Sequence, residues 1–234
     1  MRKKILEIGC GEGVNASHLS KYNDIIGIDM SEENIVVARR KFPGVDYRVM
    51  NTENLGFANN YFDQIYALDV LEHVDNLDRV IAEAWRVLRP GGEFIVNIPY
   101  WKSEKWLLKL RPTYFNEIHH CRIFEENSLE ELLEGKNFSL MKKNRVGFLS
   151  HVYLYYMFKR TPVGKTQLGI GDWRDNWKTK LLSIILMFFD ERLFKTPIKY
   201  CPVWLITLPI GLMINCFGNI FFPKALFYKF KKNA

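Results

Sequence analysis

Residues 5–13 read Ile5-Leu6-Glu7-Ile8-Gly9-Cys10-Gly11-Glu12-Gly13, with Val14 next. A short run, apolar except for one acid, leads straight into glycines at alternate positions. An apolar run bounded by glycine predicts a buried strand, and the amphipathic stretch from Val14 to Tyr22 predicts the helix that follows it. A glycine turn between a first strand and a helix lets the backbone approach a nucleotide-type ligand closely. On its own the pattern fits a plain tight turn equally well. A dinucleotide fingerprint needs its third glycine one position later, where Val14 stands, so that reading is set aside.

Outward from this turn, strands and helices alternate over about the first hundred residues. Asp24 to Ile28 predicts a second strand. Ser31 predicts an N-cap, with Glu32 and Glu33 in the first helical turn and Arg39, Arg40 and Lys41 in the last, an order that complements the helix dipole. Val45 to Met50 and Gln64 to Leu68 predict further strands. Leu77, Val80, Ile81, Ala84, Val87 and Leu88 share one helix face; Pro90-Gly91-Gly92 is expected to stop that helix, and Phe94 to Ile98 to form the next strand. These lengths predict right-handed crossovers and an α/β fold, a Rossmann-like doubly wound, mostly parallel sheet. Ligands of such sheets bind outside the carboxyl ends of the strands, where the glycine turn and Asp29 both fall.

Past Tyr100 the pattern loosens. Trp101 to Arg111 predicts an amphipathic helix, and His119 to Phe124 a loop. Asn127 is expected to cap a helix running through Leu133 to Gly135, and a strand pair is expected from Phe138 to Phe158. From Thr161 the chain turns rich in Trp, Lys and apolar runs. Two regions are therefore expected, residues 1–160 and a helical, hydrophobic appendage over 161–234.

Asp29 ends the second strand about twenty residues after Gly9, and a carboxylate there accepts hydrogen bonds from both hydroxyls of a ribose. Other segments extend the match: Gly27-Ile28-Asp29-Met30-Ser31, Asn51-Thr52-Glu53-Asn54-Leu55-Gly56-Phe57, Phe62-Asp63, Leu68-Asp69-Val70-Leu71-Glu72-His73-Val74, and Arg86-Val87-Leu88-Arg89-Pro90-Gly91-Gly92. Taken in order with residues 5–13, they resemble class I S-adenosylmethionine-dependent methyltransferases, especially the group often called type 11.

The resemblance implies S-adenosyl-L-methionine as cofactor and S-adenosyl-L-homocysteine as product. It implies that Glu7 and the backbone of Gly9, Cys10, Gly11, Glu12 and Gly13 hold the methionine portion. Asp29 would hold the ribose, within the strand end that includes Met30. Asn51, where relatives commonly carry aspartate, would face the adenine amino group, with Thr52 offering its backbone N–H. Asp69 would border the sulfonium. Glu72 and His73 fit a structural turn as well as a site. Most relatives carry helices before the first strand that cover the cofactor. Here the cover is expected from the carboxyl-terminal part, or from residues ahead of the given start.

Methyl transfer is an in-line displacement at an activated carbon, so alignment and desolvation supply much of the rate. A base is needed only where the acceptor must lose a proton. His119 and His120 are the candidates, because their loop follows the fifth strand, with Tyr100 and Tyr114 behind them. Asn97-Ile98-Pro99-Tyr100 resembles the Asn-Pro-Pro-Tyr motif of enzymes that methylate nucleic-acid amino groups. That motif follows the fourth strand, however, and one proline is missing, so nucleic acid is not the expected partner.

Composition narrows the partners further. Nearly half of the 234 residues are apolar, which favours a folded core over disorder. The net charge of +7 favours anionic partners. The four cysteines show no zinc-ligand or redox spacing, so reduced thiols and no metal are expected. No signal peptide is read at the amino end.

Tyr200 to Pro223 carries no charge, and a helix of that length would cross a hydrocarbon core of about 30 Å. Pro202, Pro209, Gly211 and Gly218 interrupt it, and lysines flank both sides: Lys195 and Lys199 before, Lys224, Lys229, Lys231 and Lys232 after. Basic flanks on both sides favour a monotopic hairpin over a single crossing. A second apolar run, Leu181 to Phe189, follows Trp173, Trp177, Lys178 and Lys180, the residue types of a membrane interface. The expected setting is the cytoplasmic side of an anionic membrane, with a lipid headgroup, polyprenyl-linked sugar or isoprenoid quinone as acceptor. The alternatives are a soluble methyltransferase of small metabolites, a non-catalytic membrane-docked S-adenosylmethionine-binding module, and a buried helical subdomain or dimer interface. The oligomeric state is not legible.

Overall fold

The computed structural model describes residues 2–110, 112–146 and 223–233. Strand β1 (Lys4–Ile8) is buried from Ile5 onward because parallel neighbours flank it on both sides. Parallel strands covered on both faces need continuous apolar sequence, which explains the run at 5–8. The sheet has the order β3-β2-β1-β4-β5-β7-β6. Its members are β2 (Asp24–Asp29), β3 (Asp46–Val49), β4 (Phe62–Leu68), β5 (Leu88–Pro99), β6 (Phe138–Val146) and β7 (Ala225–Lys232). Order reverses between β1 and β4, which is the topological switch point.

Register places the site. Ile8 pairs with Ile28 and Ala67, Asp29 with Val49, and Leu68 with Asn97. Gly9, Asp29, Met50 and Asp69 therefore leave the sheet side by side along one edge.

The helices follow their local signals. Helix α1 (Val14–Leu19) is shorter than predicted. Helix α2 (Glu32–Lys41) is capped by Ser31, whose hydroxyl accepts from the Asn34 N–H at 3.2 Å. Helix α3 (Leu77–Val87) starts at Asn76, whose side chain accepts from the Arg79 N–H, and it buries Val80, Ile81, Ala84 and Val87.

Three expectations need correction. Pro90-Gly91-Gly92 does not stop α3. The helix gives way at Leu88 directly to extended backbone, because Leu88 already pairs with Phe62. The turn instead forms a bulge inside β5, with Gln64 next paired to Glu93 and Gly91 at φ +73°. Asn127 does not cap helix α6 (Ser128–Glu134) with its side chain. It sits at φ +63°, and its amide oxygen accepts from Lys143 Nζ at 3.1 Å.

The third concerns the carboxyl terminus. Residues 225–232, expected within a helical appendage, are a strand of the sheet. Asn233 N–H bonds to Asn137 O and Lys224 N–H to Val146 O, at opposite ends of β6, so β7 runs antiparallel to it. The partner of β6 among the described residues is thus this distant segment, where the sequence suggests an adjacent hairpin. Leu226, Tyr228, Phe230 and Lys232 fall on the buried face at period two. Lys229, expected in a basic membrane flank, pairs with Glu93. Lys232 is 3% exposed and donates to Asn60 Oδ1, Trp85 O and Leu88 O at 2.9, 2.8 and 2.7 Å. It thereby caps the carbonyls at the end of α3.

The chain divides into two compact units. The first holds the sheet and helices α1, α2, α3 and α6. The second includes helices α4 (Trp101–Leu110) and α5 (Tyr114–Ile118), with Ser103 Oγ donating to Pro223 O at 2.7 Å. Among the described residues no helix is long and apolar enough to cross a membrane. The apolar runs at 181–189 and 200–222 lie outside the described residues, as does the division at 160.

Candidate active site

The loop after β1 is built on left-handed backbone, with φ of +67° at Gly9, +52° at Gly11 and +83° at Gly13. Two of these glycines serve different ends. A Cβ on Gly13 would lie 2.6 Å from Tyr47 Cζ and 2.9 Å from Ala38 Cβ, so that position must stay bare for the loop to seat on the core. A Cβ on Gly11 would meet nothing within 4 Å. Gly11 therefore faces open space at the strand edge, where a ligand can approach the backbone.

Tyr47 was legible only as a strand residue. It is 2% exposed, and its hydroxyl donates to Gly13 O at 2.8 Å, fixing the loop from below. Burial pushes its phenol up to about 12, so it remains a donor. The period-two pattern of β3 could have marked Tyr47 as inward, but not its partner.

Asp29 ties the loop to β2. Its Oδ2 accepts from Gly11 N–H at 2.8 Å, and its Oδ1 accepts from Ser31 N–H at 2.9 Å and from Asn34 Nδ2 at 3.3 Å. Met30 beside it is 66% exposed and offers an uncovered apolar surface. Met50 N–H bonds to Asp29 O at 3.0 Å and so brings Asn51 alongside. Asn51 Oδ1 accepts from Glu53 N–H at 2.8 Å in an Asx turn, which sets its amide in place. Thr52 is buried.

Glu7 is 1% exposed, and its Oε2 has no hydrogen-bond partner. Burial pushes its carboxyl up to about 7, while hydrogen bonds from Asn15 and the Ala16 backbone pull the other way. Cys10 is also buried, and its thiol is raised to about 12, first by burial and then by Glu7 and Asp29. It is an unreactive wall of the loop. Glu12 faces outward and pairs with Lys41.

At the end of β4, Asp69 adopts φ +55°, a conformation costly for a non-glycine residue. Two bonds to Asn97 hold it there: Asp69 N–H to Asn97 O at 3.1 Å, and Asn97 Nδ2 to Asp69 Oδ1 at 2.6 Å. The asparagine that resembled part of a nucleic-acid motif is thus the clamp on Asp69. The strand-end pairing of residues 68 and 97 is what sequence inspection lacked.

In the second unit, His119 is exposed at φ +57° and ends α5. His120 places Nδ1 2.7 Å from Glu104 Oε2, and the Tyr114 hydroxyl lies 3.4 Å from Glu104 Oε1. The Glu104 and His120 side chains are 6% and 8% exposed. Glu104 was not anticipated. Its place on the buried side of α4, with Ser103 and Leu107, was the available signal.

Comparison with known proteins agrees with this layout. Residues 6–96 match a family model described as a methyltransferase domain. A protein of Mycolicibacterium smegmatis named "Probable S-adenosylmethionine-dependent methyltransferase" is 32% identical over 139 residues, 59% of this chain and 52% of that one. A ubiquinone biosynthesis O-methyltransferase of Sinorhizobium medicae is 36% identical over 98 residues, 40% of each chain. The chain thus spans about half the length, or less, of these curated relatives. A solved S-adenosylmethionine-dependent methyltransferase from Methanosarcina mazei superposes with a TM-score of 0.52 at 25% identity, covering 62% of this chain and 84% of that one.

The residues present fit that cofactor. Glu7 Oε2 is a buried acceptor lacking a donor, as an ammonium requires; Gly11 leaves room for close approach; and Asp29 is pre-oriented by three donors. Residues 6–96 are thus similar to a methyltransferase domain, and the residues at their strand ends fit S-adenosylmethionine.

Proposed function

We propose that this chain transfers the methyl group of S-adenosylmethionine to a lipid or lipid-linked acceptor at the cytoplasmic face of a membrane. The single observation that carries the transfer is the Asp29–Gly11 contact beside the buried acceptor on Glu7. The cofactor supplies a methyl carbon activated by a sulfonium. When bound, it would give that methyl to the acceptor's lone pair, with S-adenosyl-L-homocysteine as the leaving group. Glu7 would hold the methionine portion of the donor and Asp29 its ribose, and Asp69, clamped by Asn97, would border the reacting centre.

The acceptor class rests on the uncharged stretch from Tyr200 to Pro223, on Lys195 and Lys199 before it, and on Trp173 and Trp177 further ahead. A relative named for ubiquinone biosynthesis supports the isoprenoid quinone among the three acceptor types. For a hydroxyl acceptor the proton must go to a base. His120, with Nδ1 oriented by Glu104, is the first candidate and His119 the second.

The test incubates the full chain with radiolabelled methyl donor and host membranes and then separates lipid, protein, nucleic-acid and soluble fractions. Label in lipid is the expected result. Label only in soluble metabolites, or none with intact cofactor binding, would replace the reading with a metabolite methyltransferase or a binding module respectively.

A further inference from the structure

Between β3 and β4 the chain runs from Met50 to Tyr61, and it leaves the sheet beside Asp29 because Met50 N–H bonds to Asp29 O. Asn51 is exposed there, and its Oδ1 accepts from Glu53 N–H at 2.8 Å. A backbone N–H only donates, so this bond fixes which end of the amide is oxygen. Oxygen and nitrogen diverge from one carbon. With Oδ1 folded back on the turn, Nδ2, a donor only, is the end presented outward. Helix α3 keeps the turn in place. Asn76 N–H donates to Glu53 Oε1 at 3.1 Å and Leu55 N–H to Glu83 Oε2 at 2.7 Å. Arg86 donates to Leu55 O and Phe57 O, each at 2.7 Å. Reversing the Asn51 amide would set its nitrogen against Glu53 N–H, donor facing donor.

The edge of adenine carries an amino group, a donor, beside ring N1, an acceptor. Hypoxanthine reverses both, with a 6-oxo acceptor beside an N1–H donor. An aspartate at position 51 would keep one oxygen in the turn and offer a second to the amino group, whereas asparagine offers a donor. We propose that the nucleobase subsite at Asn51 and Thr52 presents donors only, Asn51 Nδ2 and the Thr52 N–H, and so admits 6-oxo purine forms of the cofactor as readily as adenine forms. Adenine pairs its N1 and opposes its amino group to Nδ2. A 6-oxo purine pairs its oxygen with Nδ2 and opposes its N1–H to Thr52. Each base gains one hydrogen bond and suffers one mismatch, so the two balance. The inference rests on the reading of S-adenosylmethionine as cofactor and names the purine class that this site accepts.

The experiment titrates the full chain with S-adenosyl-L-homocysteine and with S-inosyl-L-homocysteine in a calorimeter, for wild type and for Asn51→Asp. Wild type should bind the two within about fivefold of each other. The variant keeps an acceptor for Glu53 N–H, so the turn persists while the outward donor becomes an acceptor. It should gain about tenfold for the adenosyl ligand and lose about tenfold for the inosyl one, since a hydrogen bond to a charged group forms in one case and is opposed in the other. The proposal is overturned if wild type prefers the adenosyl ligand by more than about fivefold, or if the variant moves the ratio toward it by less than about tenfold. A wild type that binds neither ligand removes the cofactor reading and this inference with it. Matched binding of the two, with methyl label confined to soluble metabolites, leaves this inference standing and sinks the lipid acceptor.

Discussion

The Asp29 carboxylate accepts a 2.8 Å hydrogen bond from the Gly11 N–H, so the acid at the end of β2 and the loop after β1 form one hydrogen-bonded unit. On the proposed function, cofactor binding and loop geometry therefore depend on the same side chain. Asp29→Ala removes both the ribose acceptor and the loop anchor and should weaken S-adenosylmethionine binding about 100-fold, since charge-assisted hydrogen bonds contribute about 1.5–3 kcal/mol each. Asp29→Asn keeps one acceptor and should lose about tenfold. Isothermal titration calorimetry measures both; a change under about threefold for the alanine variant would remove Asp29 from the site.

Gly11 and Gly13 should separate binding from folding. Gly13→Ala meets Tyr47 and Ala38 at φ +83° and is expected to cost about 2–4 kcal/mol of stability in urea unfolding. Gly11→Ala meets no protein atom and should cost only about 1 kcal/mol for its backbone angle. Its new methyl group points into the open space, so cofactor affinity should fall while the fold persists. Equal stability losses at the two positions would contradict these assignments.

Glu7 gives the site a pH signature. Its carboxyl rises from an ordinary 4.5 to about 7 on burial, so the folded state holds the proton more tightly than the unfolded chain. Without cofactor, stability should fall as pH rises from about 4.5 to about 7, by on the order of 3 kcal/mol. Glu7→Gln should flatten that slope. A bound ammonium favours the carboxylate, so cofactor affinity should climb across the same window and level off above it. Calorimetry at several pH values checks both trends, and an affinity that ignores pH in wild type would place Glu7 outside the binding site.

Lys232 tests the last strand. Lys232→Met keeps the stem but strips Trp85 O, Leu88 O and Asn60 Oδ1 of their donor, and it removes the cation 3.8 Å from the Trp85 ring. A loss of about 2–3 kcal/mol is expected in chemical denaturation. Cofactor affinity, measured well below the unfolding transition, should not change. A neutral outcome would mean that the buried ammonium contributes no net stability, as well-packed apolar replacements of buried charges sometimes show.

Much of the site was legible because its signals are local. A strand, a glycine turn and a helix occupy consecutive residues from Ile5 to Leu19, and Asp29 ends the next strand. Ser31 declared its helix for the same reason, since its cap reaches only to Asn34. Asn127 misled because a left-handed backbone turned its amide toward Lys143, sixteen positions away. The clamp between Asn97 and Asp69 was hidden by the separation of two strands that only the register joins.

By itself, then, the sequence determined the parallel α/β frame, the glycine loop after β1 and the acid at the end of β2, because short-range periodicity and turn chemistry specify each. Tertiary structure alone decided that residues 225–232 belong to the sheet, that Tyr47 supports Gly13, and that Glu7 is left with a buried oxygen lacking a donor. Those outcomes depend on which distant groups meet and how much water they exclude. A lysine-rich tail reads as a membrane flank until Lys232 finds three acceptors at the end of α3.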